Sequence, residues 1–112
     1  MQIAEAREAG VHVLAPSGRI DTTTVGVLEG RLAPLVALAQ PRIVVDFSRV
    51  DYISSAGLRI LLIAARRVQD GHGRLALCGL GDAVRQVFYL AGFLPLFLIA
   101  ATRAEAVEQI AP

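Results

Sequence analysis

The chain has 112 residues, 54% hydrophobic and 19% charged, a composition that fills one buried core and excludes intrinsic disorder. Eleven Lys+Arg against ten Asp+Glu give a formal net charge of +1, without the basic excess of a phosphate-backbone binder, so nucleic acid is not an expected partner. The single cysteine, Cys78, excludes an internal disulfide and a thiolate-rich metal site, and suits a reducing compartment.

The first elements are two strands. One is expected around Gln2–Arg7 and the next over Val11–Ala15, joined by a turn at Glu8-Ala9-Gly10, with the second ending near Ser17-Gly18. Val25, Leu28, Leu32, Leu35 and Val36 then recur at helical spacing, which predicts a helix over Val25–Ala39 with hydroxyl caps among Thr22, Thr23 and Thr24. Pro34 must kink this helix or mark its start. Ile43-Val44-Val45-Asp46 is apolar on both faces, as a central strand is. After Ser54-Ser55-Ala56-Gly57, the residues Leu58, Leu61, Leu62, Ala65 and Val68 form one stripe, the clearest helix of the chain, which Gly71 and Gly73 stop.

Leu75–Cys78 predicts another strand, Gly79-Leu80-Gly81-Asp82 leads into a third helix over Ala83–Ala91, and Leu96–Ile99 is a candidate last strand. A fourth helix is expected over Thr102–Ile110, capped by Thr102 with Glu105 three residues later. The apolar stretch Tyr89–Ala101 carries Gly92 and Pro95 and falls short of the ~20 residues of a membrane span, so it reads as core. Glu5, Arg7 and Glu8 interrupt the first apolar residues, against a secretory signal, and a soluble cytoplasmic protein is expected. Strands alternating with helices make the class α/β: one domain over residues 1–112, with a mixed four- to five-stranded sheet and about four helices mainly on one face.

Imidazole or thiolate chemistry would have to come from His12, His72 or Cys78, which share no metal-ligand or triad spacing. Gly79-Leu80-Gly81 has Val84 where a dinucleotide fingerprint needs its third glycine. Ser54 and Ser55 lack the Gly-x-Ser-x-Gly setting of a strained nucleophile. The paired serines instead open the strongest helix. One hydroxyl suffices for a cap, and a phosphate added at such a position meets the positive end of the helix dipole, so modification need not unfold the domain. On the same helix Arg59, Ile60, Ile63 and Arg67 project opposite the leucine stripe, an apolar patch ringed by arginines that suits a protein partner.

Gly18-Arg19-Ile20-Asp21, Ile43-Val44-Val45-Asp46-Phe47, Val50-Asp51-Tyr52-Ile53-Ser54-Ser55-Ala56-Gly57-Leu58 and Leu77-Cys78-Gly79 together resemble a STAS domain, the fold of bacterial anti-sigma factor antagonists. The resemblance runs along nearly the whole chain. In the family pattern an Asp precedes the phosphorylated Ser or Thr, followed by a variable residue, Gly and Leu. This matches Ser55 to the phosphorylation position and leaves Ser54 where Asp is usual, removing a carboxylate beside the acceptor and offering a second hydroxyl. The resemblance implies a non-catalytic switch without a cofactor of its own. Unphosphorylated, the chain would bind an anti-sigma factor that is also a serine kinase. Phosphorylation of Ser55 would end the binding, and a serine phosphatase would reset it. Asp21 would help contact the kinase or, equally, cap the first helix, and the partner-binding set would comprise Asp21, Ser54, Ser55, Gly57, Arg59, Ile60, Ile63 and Arg67. The alternatives are a STAS scaffold subunit of a signalling or transporter complex that is never phosphorylated, and a small-ligand binder or enzyme.

Overall fold

A computed structural model describing residues 1–112 takes the elements in the expected order with one short strand more. Strands β1 (Gln2–Glu8) and β2 (Val11–Ile20) form an antiparallel hairpin in which Glu8 pairs with Val11. Its two-residue loop, Ala9 and Gly10, has both φ angles positive, the geometry whose twist matches flanking strands. Helix α1 (Val25–Val36) crosses to β3 (Arg42–Asp46), parallel to β2. β4 (Arg49–Ile53) continues along β2 beyond the end of β3 and leads into α2 (Ser55–Asp70). β5 (Arg74–Cys78), α3 (Asp82–Leu90), a 3₁₀ turn at Leu94–Leu96, β6 (Leu98–Ala100) and α4 (Arg103–Ile110) complete the chain. The sheet runs β1-β2-β3-β5-β6, with β4 attached to β2, and only the first pair is antiparallel.

Strand residues alternate between two cores. Leu14, Ile43, Val45, Leu75 and Leu77 face the side covered by α1, α2 and α3, which supply Leu28, Leu32, Leu58, Leu61, Val68, Val84 and Phe88. Val11, Val13, Val44, Ala76 and Cys78 face the other side, where small side chains let one helix, α4, lie close with Ala106, Val107 and Ile110. Three helices therefore share one face and the fourth covers the opposite one.

Several boundaries differ from the sequence reading. α1 stops at Val36, not Ala39. Ala37 to Gln40 are exposed, and Gln40 has φ 49° immediately before Pro41, a residue that disfavours helix in its predecessor. Pro34 sits inside the last turn of α1 and does not start it. At the end of α2 the left-handed residue is His72, while Gly73 is required by close approach, since a Cβ there would lie 2.0 Å from the Pro41 carbonyl oxygen. The last strand begins at Leu98, after the 3₁₀ turn, and the stretch read as core leaves Tyr89, Leu90 and Leu96 exposed.

Candidate functional site

The end of β2 and the start of α2 meet at one corner of the sheet. Ile20 pairs with Ile53, and the Ser54 amide donates to the Ile20 carbonyl at 2.8 Å, so the chain leaving β4 is fixed to β2 before α2 begins. Ser54 is extended at φ −88° and ψ 170°, and its hydroxyl accepts from the Gly57 amide at 3.3 Å. It is the N-cap, which satisfies one of the free amides of the first turn. Ser55 is the first helical residue, exposed, and its hydroxyl takes no part in the capping. The local geometry thus separates the two serines, one tied to the helix and one open to solvent.

Asp21 opens the loop beside this corner. Its carboxylate accepts from the Thr23 hydroxyl at 2.7 Å and the Thr23 amide at 3.0 Å, and lies 3.6 Å from Arg19 Nε. The Thr23 hydroxyl and amide, with further help from Thr24, hold the Asp21 carboxyl below the usual carboxylate range. The threonines do not cap α1 as expected. Thr24 occupies the N-cap position without a side-chain capping bond, and its hydroxyl donates to the Arg19 carbonyl at 2.7 Å while accepting from the Asp21 amide at 2.9 Å. The loop is cross-tied to β2 and carries an ionised acid one residue beyond Ile20, whose carbonyl accepts from the Ser54 amide. Arg19 also stacks over Tyr52, 4.1 Å from the ring centroid, an arrangement the sequence did not announce because a register shift in the β2–β4 pair brings the two opposite.

The outer face of α2 is narrower than the sequence reading drew it. Arg59, Ile63 and Arg67 are exposed, but Ile60 is half-buried and packs against the main core. Gly57 is buried, with a Cβ there falling 2.7 Å from Ile20 Cγ2 and 2.8 Å from Ile53 Cγ1, so it lets α2 approach the strands and offers no surface to a partner. Leu62 and Ala65, placed on the core stripe, are half-buried, and Ala64 is buried in their stead. Ile60 and Ile63 line a groove of about 390 Å³ between α1 and α2, whose opposite wall is made by Leu32, Ala33 and Val36, with Arg67 at its edge. The α1 side was missed in sequence. Its signal was the run of small residues Gly26, Gly30 and Ala33, which keeps that face of α1 low.

The residues weighed for catalysis are dispersed: His12 within β2, His72 in the turn after α2, and Cys78 buried at the end of β5. Burial, with the negative Asp46 beside it, pushes the Cys78 thiol up to about 12, so it stays protonated at neutral pH. No group of three or more His, Cys, Asp or Glu residues is gathered in a way that could hold a metal ion. No helix is long and apolar enough to cross a membrane.

Comparison with known proteins accords with this architecture. The STAS domain family pattern matches residues 2–106. BtrV of Bordetella bronchiseptica, named as an anti-sigma factor antagonist, is 37% identical over 106 residues, covering 95% of this chain and 91% of that protein. RsfB of Mycobacterium tuberculosis, an anti-sigma-F factor antagonist, is 28% identical over 96% of this chain and 88% of its own length. The crystal structure of an anti-sigma factor antagonist from Mycobacterium paratuberculosis superposes with a TM-score of 0.89 at 28% identity, covering 99% of this chain and 94% of the other. A mixed sheet with a serine-capped helix rising from one corner, and a sequence match along almost its whole length, identify this chain as a member of the STAS domain family.

Proposed function

We propose that this protein is a non-catalytic anti-sigma factor antagonist whose partner, an anti-sigma factor with serine kinase activity, docks on the corner formed by Asp21, Ser54, Ser55 and the outer face of α2. The observation that carries the proposal is the division of labour between the serines. Ser54 is spent on the cap, whereas Ser55 stands exposed at the first turn, on a helix whose start is tied to the strand that leads into Asp21, a loop acid held ionised. The names of the relatives support the partner class.

In the proposed step Ser55 Oγ attacks the γ-phosphorus of ATP held by the kinase. The new O–P bond forms as the bond to the β-phosphate oxygen breaks, ADP leaves, and the hydroxyl proton passes to a base on the kinase. The product adds a charge of about −1.5 to −2 at the docking corner, where it desolvates poorly and repels an acidic partner surface. Release of the antagonist frees the anti-sigma factor to rebind its sigma factor, and a serine phosphatase reverses the modification. ATP belongs to the partner in this scheme. The test is a pull-down of the partner from the native cytosol, followed by ATP addition and phosphopeptide mapping. Phosphate on Ser55 with loss of the retained partner is the expected result; phosphate on Ser54 alone overturns the choice of acceptor, and an unmodified chain overturns the switch.

A further inference from the structure

We infer that Arg59 is the internal counter-ion of phosphorylated Ser55, so that modification both adds negative charge to the docking corner and withdraws a cation from it. The inference deepens the proposed switch and rests on Ser55 being its phosphorylated residue. α2 runs unbroken from Ser55 to Asp70, and Ser55 and Arg59, both exposed, stand four residues apart in it. That spacing puts their Cβ atoms about 5–6 Å apart on one face, in the favourable order with the anion N-terminal to the cation.

Arg59 has no competing partner. The ion pairs of the structure use Arg19, Arg31 and Arg103. Its neighbours a turn away on α2, Ala56, Leu62 and Ile63, carry no charge. Asp21 on the adjoining loop is taken by Thr23, Thr24 and Arg19, and Glu29 of α1 lines the groove beside Arg67. Arg19, the other arginine of this corner, is engaged by Asp21 and Tyr52. A phosphate on Ser55 presents three acceptor oxygens to an idle guanidinium whose planar fork binds two of them at once. In the unmodified protein the same guanidinium is free to meet an acidic group of the partner.

The test places phosphoserine at position 55 during translation, so it requires neither the kinase nor the partner. The second ionisation of the phosphate, ordinarily near 6, is followed by ³¹P NMR in the otherwise unaltered protein and in Arg59→Gln and Arg59→Lys, each checked for an unchanged fold by its amide spectrum. The expected result is an ionisation roughly half a unit lower with Arg59 than with Gln, about a threefold change in proton affinity, partly restored by Lys and lost at 1 M salt. The Arg59 Nε–H resonance should move with the same titration. Identical titrations in the protein and Arg59→Gln overturn the inference and leave the switch at Ser55 standing. A chain that no kinase modifies at Ser55 overturns the switch, whatever the phosphate titration gives.

Discussion

Two adjacent serines have different physical duties, and substitution separates them. Ser54→Ala removes the cap bond to the Gly57 amide and should cost about 1 kcal/mol of stability. Ser55→Ala removes an exposed hydroxyl outside the capping scheme and should leave the thermal midpoint nearly unchanged while abolishing phosphate incorporation. Thermal melts of the two variants side by side check both. Gly57 provides a second contrast. Alanine is the better helix former by about 1 kcal/mol, but its Cβ must displace Ile20 and Ile53 from contacts under 3 Å, and overpacking of this kind costs roughly 1–3 kcal/mol. Gly57→Ala should therefore destabilise the protein despite improving local propensity, and denaturant unfolding reads the sign.

α2 is the element on which fold and proposed function meet. Leu61 is fully buried in the main core, so Leu61→Ala should cost about 2–5 kcal/mol, measured by denaturant unfolding. Ile63 is 43% exposed at the groove between α1 and α2, so Ile63→Asp should barely move the melting temperature and should weaken partner binding by at least roughly tenfold, as loss of a buried interface isoleucine does. If Ile63→Asp melts like Leu61→Ala, this face is core. Period and capping made α2 and α4 legible in sequence: the leucine stripe gave the first its helical period, with Leu58, Leu61 and Val68 buried as placed, and Thr102 accepts from the Glu105 amide at 3.2 Å as its spacing foretold. Helical period alone could not place Ile60, which the projection put opposite the stripe, because α1, which half-covers it, comes from elsewhere in the chain. β4 was equally hidden. Its five residues bury only Val50 and Ile53, a spacing of three that reads as neither strand nor helix, and it exists because β2 extends past β3. The serine corner was legible through its motif, whereas the Asp21–Thr23–Thr24 ties depend on loop geometry and the Arg19–Tyr52 stack on a register shift between β2 and β4, neither of which composition encodes.

Across the whole molecule, α4 is clamped over the sheet face opposite α2. At its start Arg103 binds Asp46 at 2.9 Å and Glu8 at 3.3 Å, joining β3 and β1 to the helix. At its end the Arg42 and Arg74 side chains donate to the carbonyls of Ile110 and Gln109. Burial alone would raise the Asp46 carboxyl, but the Ser48 amide and Arg103 outweigh it and hold it below the usual carboxylate range. A carboxyl depressed in the folded state contributes stability above its unfolded pKa, near 4, and loses it as pH falls through the folded value. The protein should therefore lose stability below about pH 4. Asp46→Asn should flatten that acid limb, leaving the part due to Asp21, and should cost about 1–3 kcal/mol at neutral pH by weakening the bond to Arg103. Urea midpoints measured from pH 7 to pH 3 check both statements. The proposed docking corner lies across the sheet from this clamp, so Asp46→Asn should leave partner affinity unchanged wherever the domain remains folded. The most direct measurement is calorimetric titration of the partner recovered by pull-down against the unmodified protein and against protein carrying phosphoserine at 55. Binding to the unmodified form and at least a roughly tenfold loss of affinity, about 1.4 kcal/mol, on phosphorylation is the predicted result; equal affinities for the two forms would contradict a switch at Ser55.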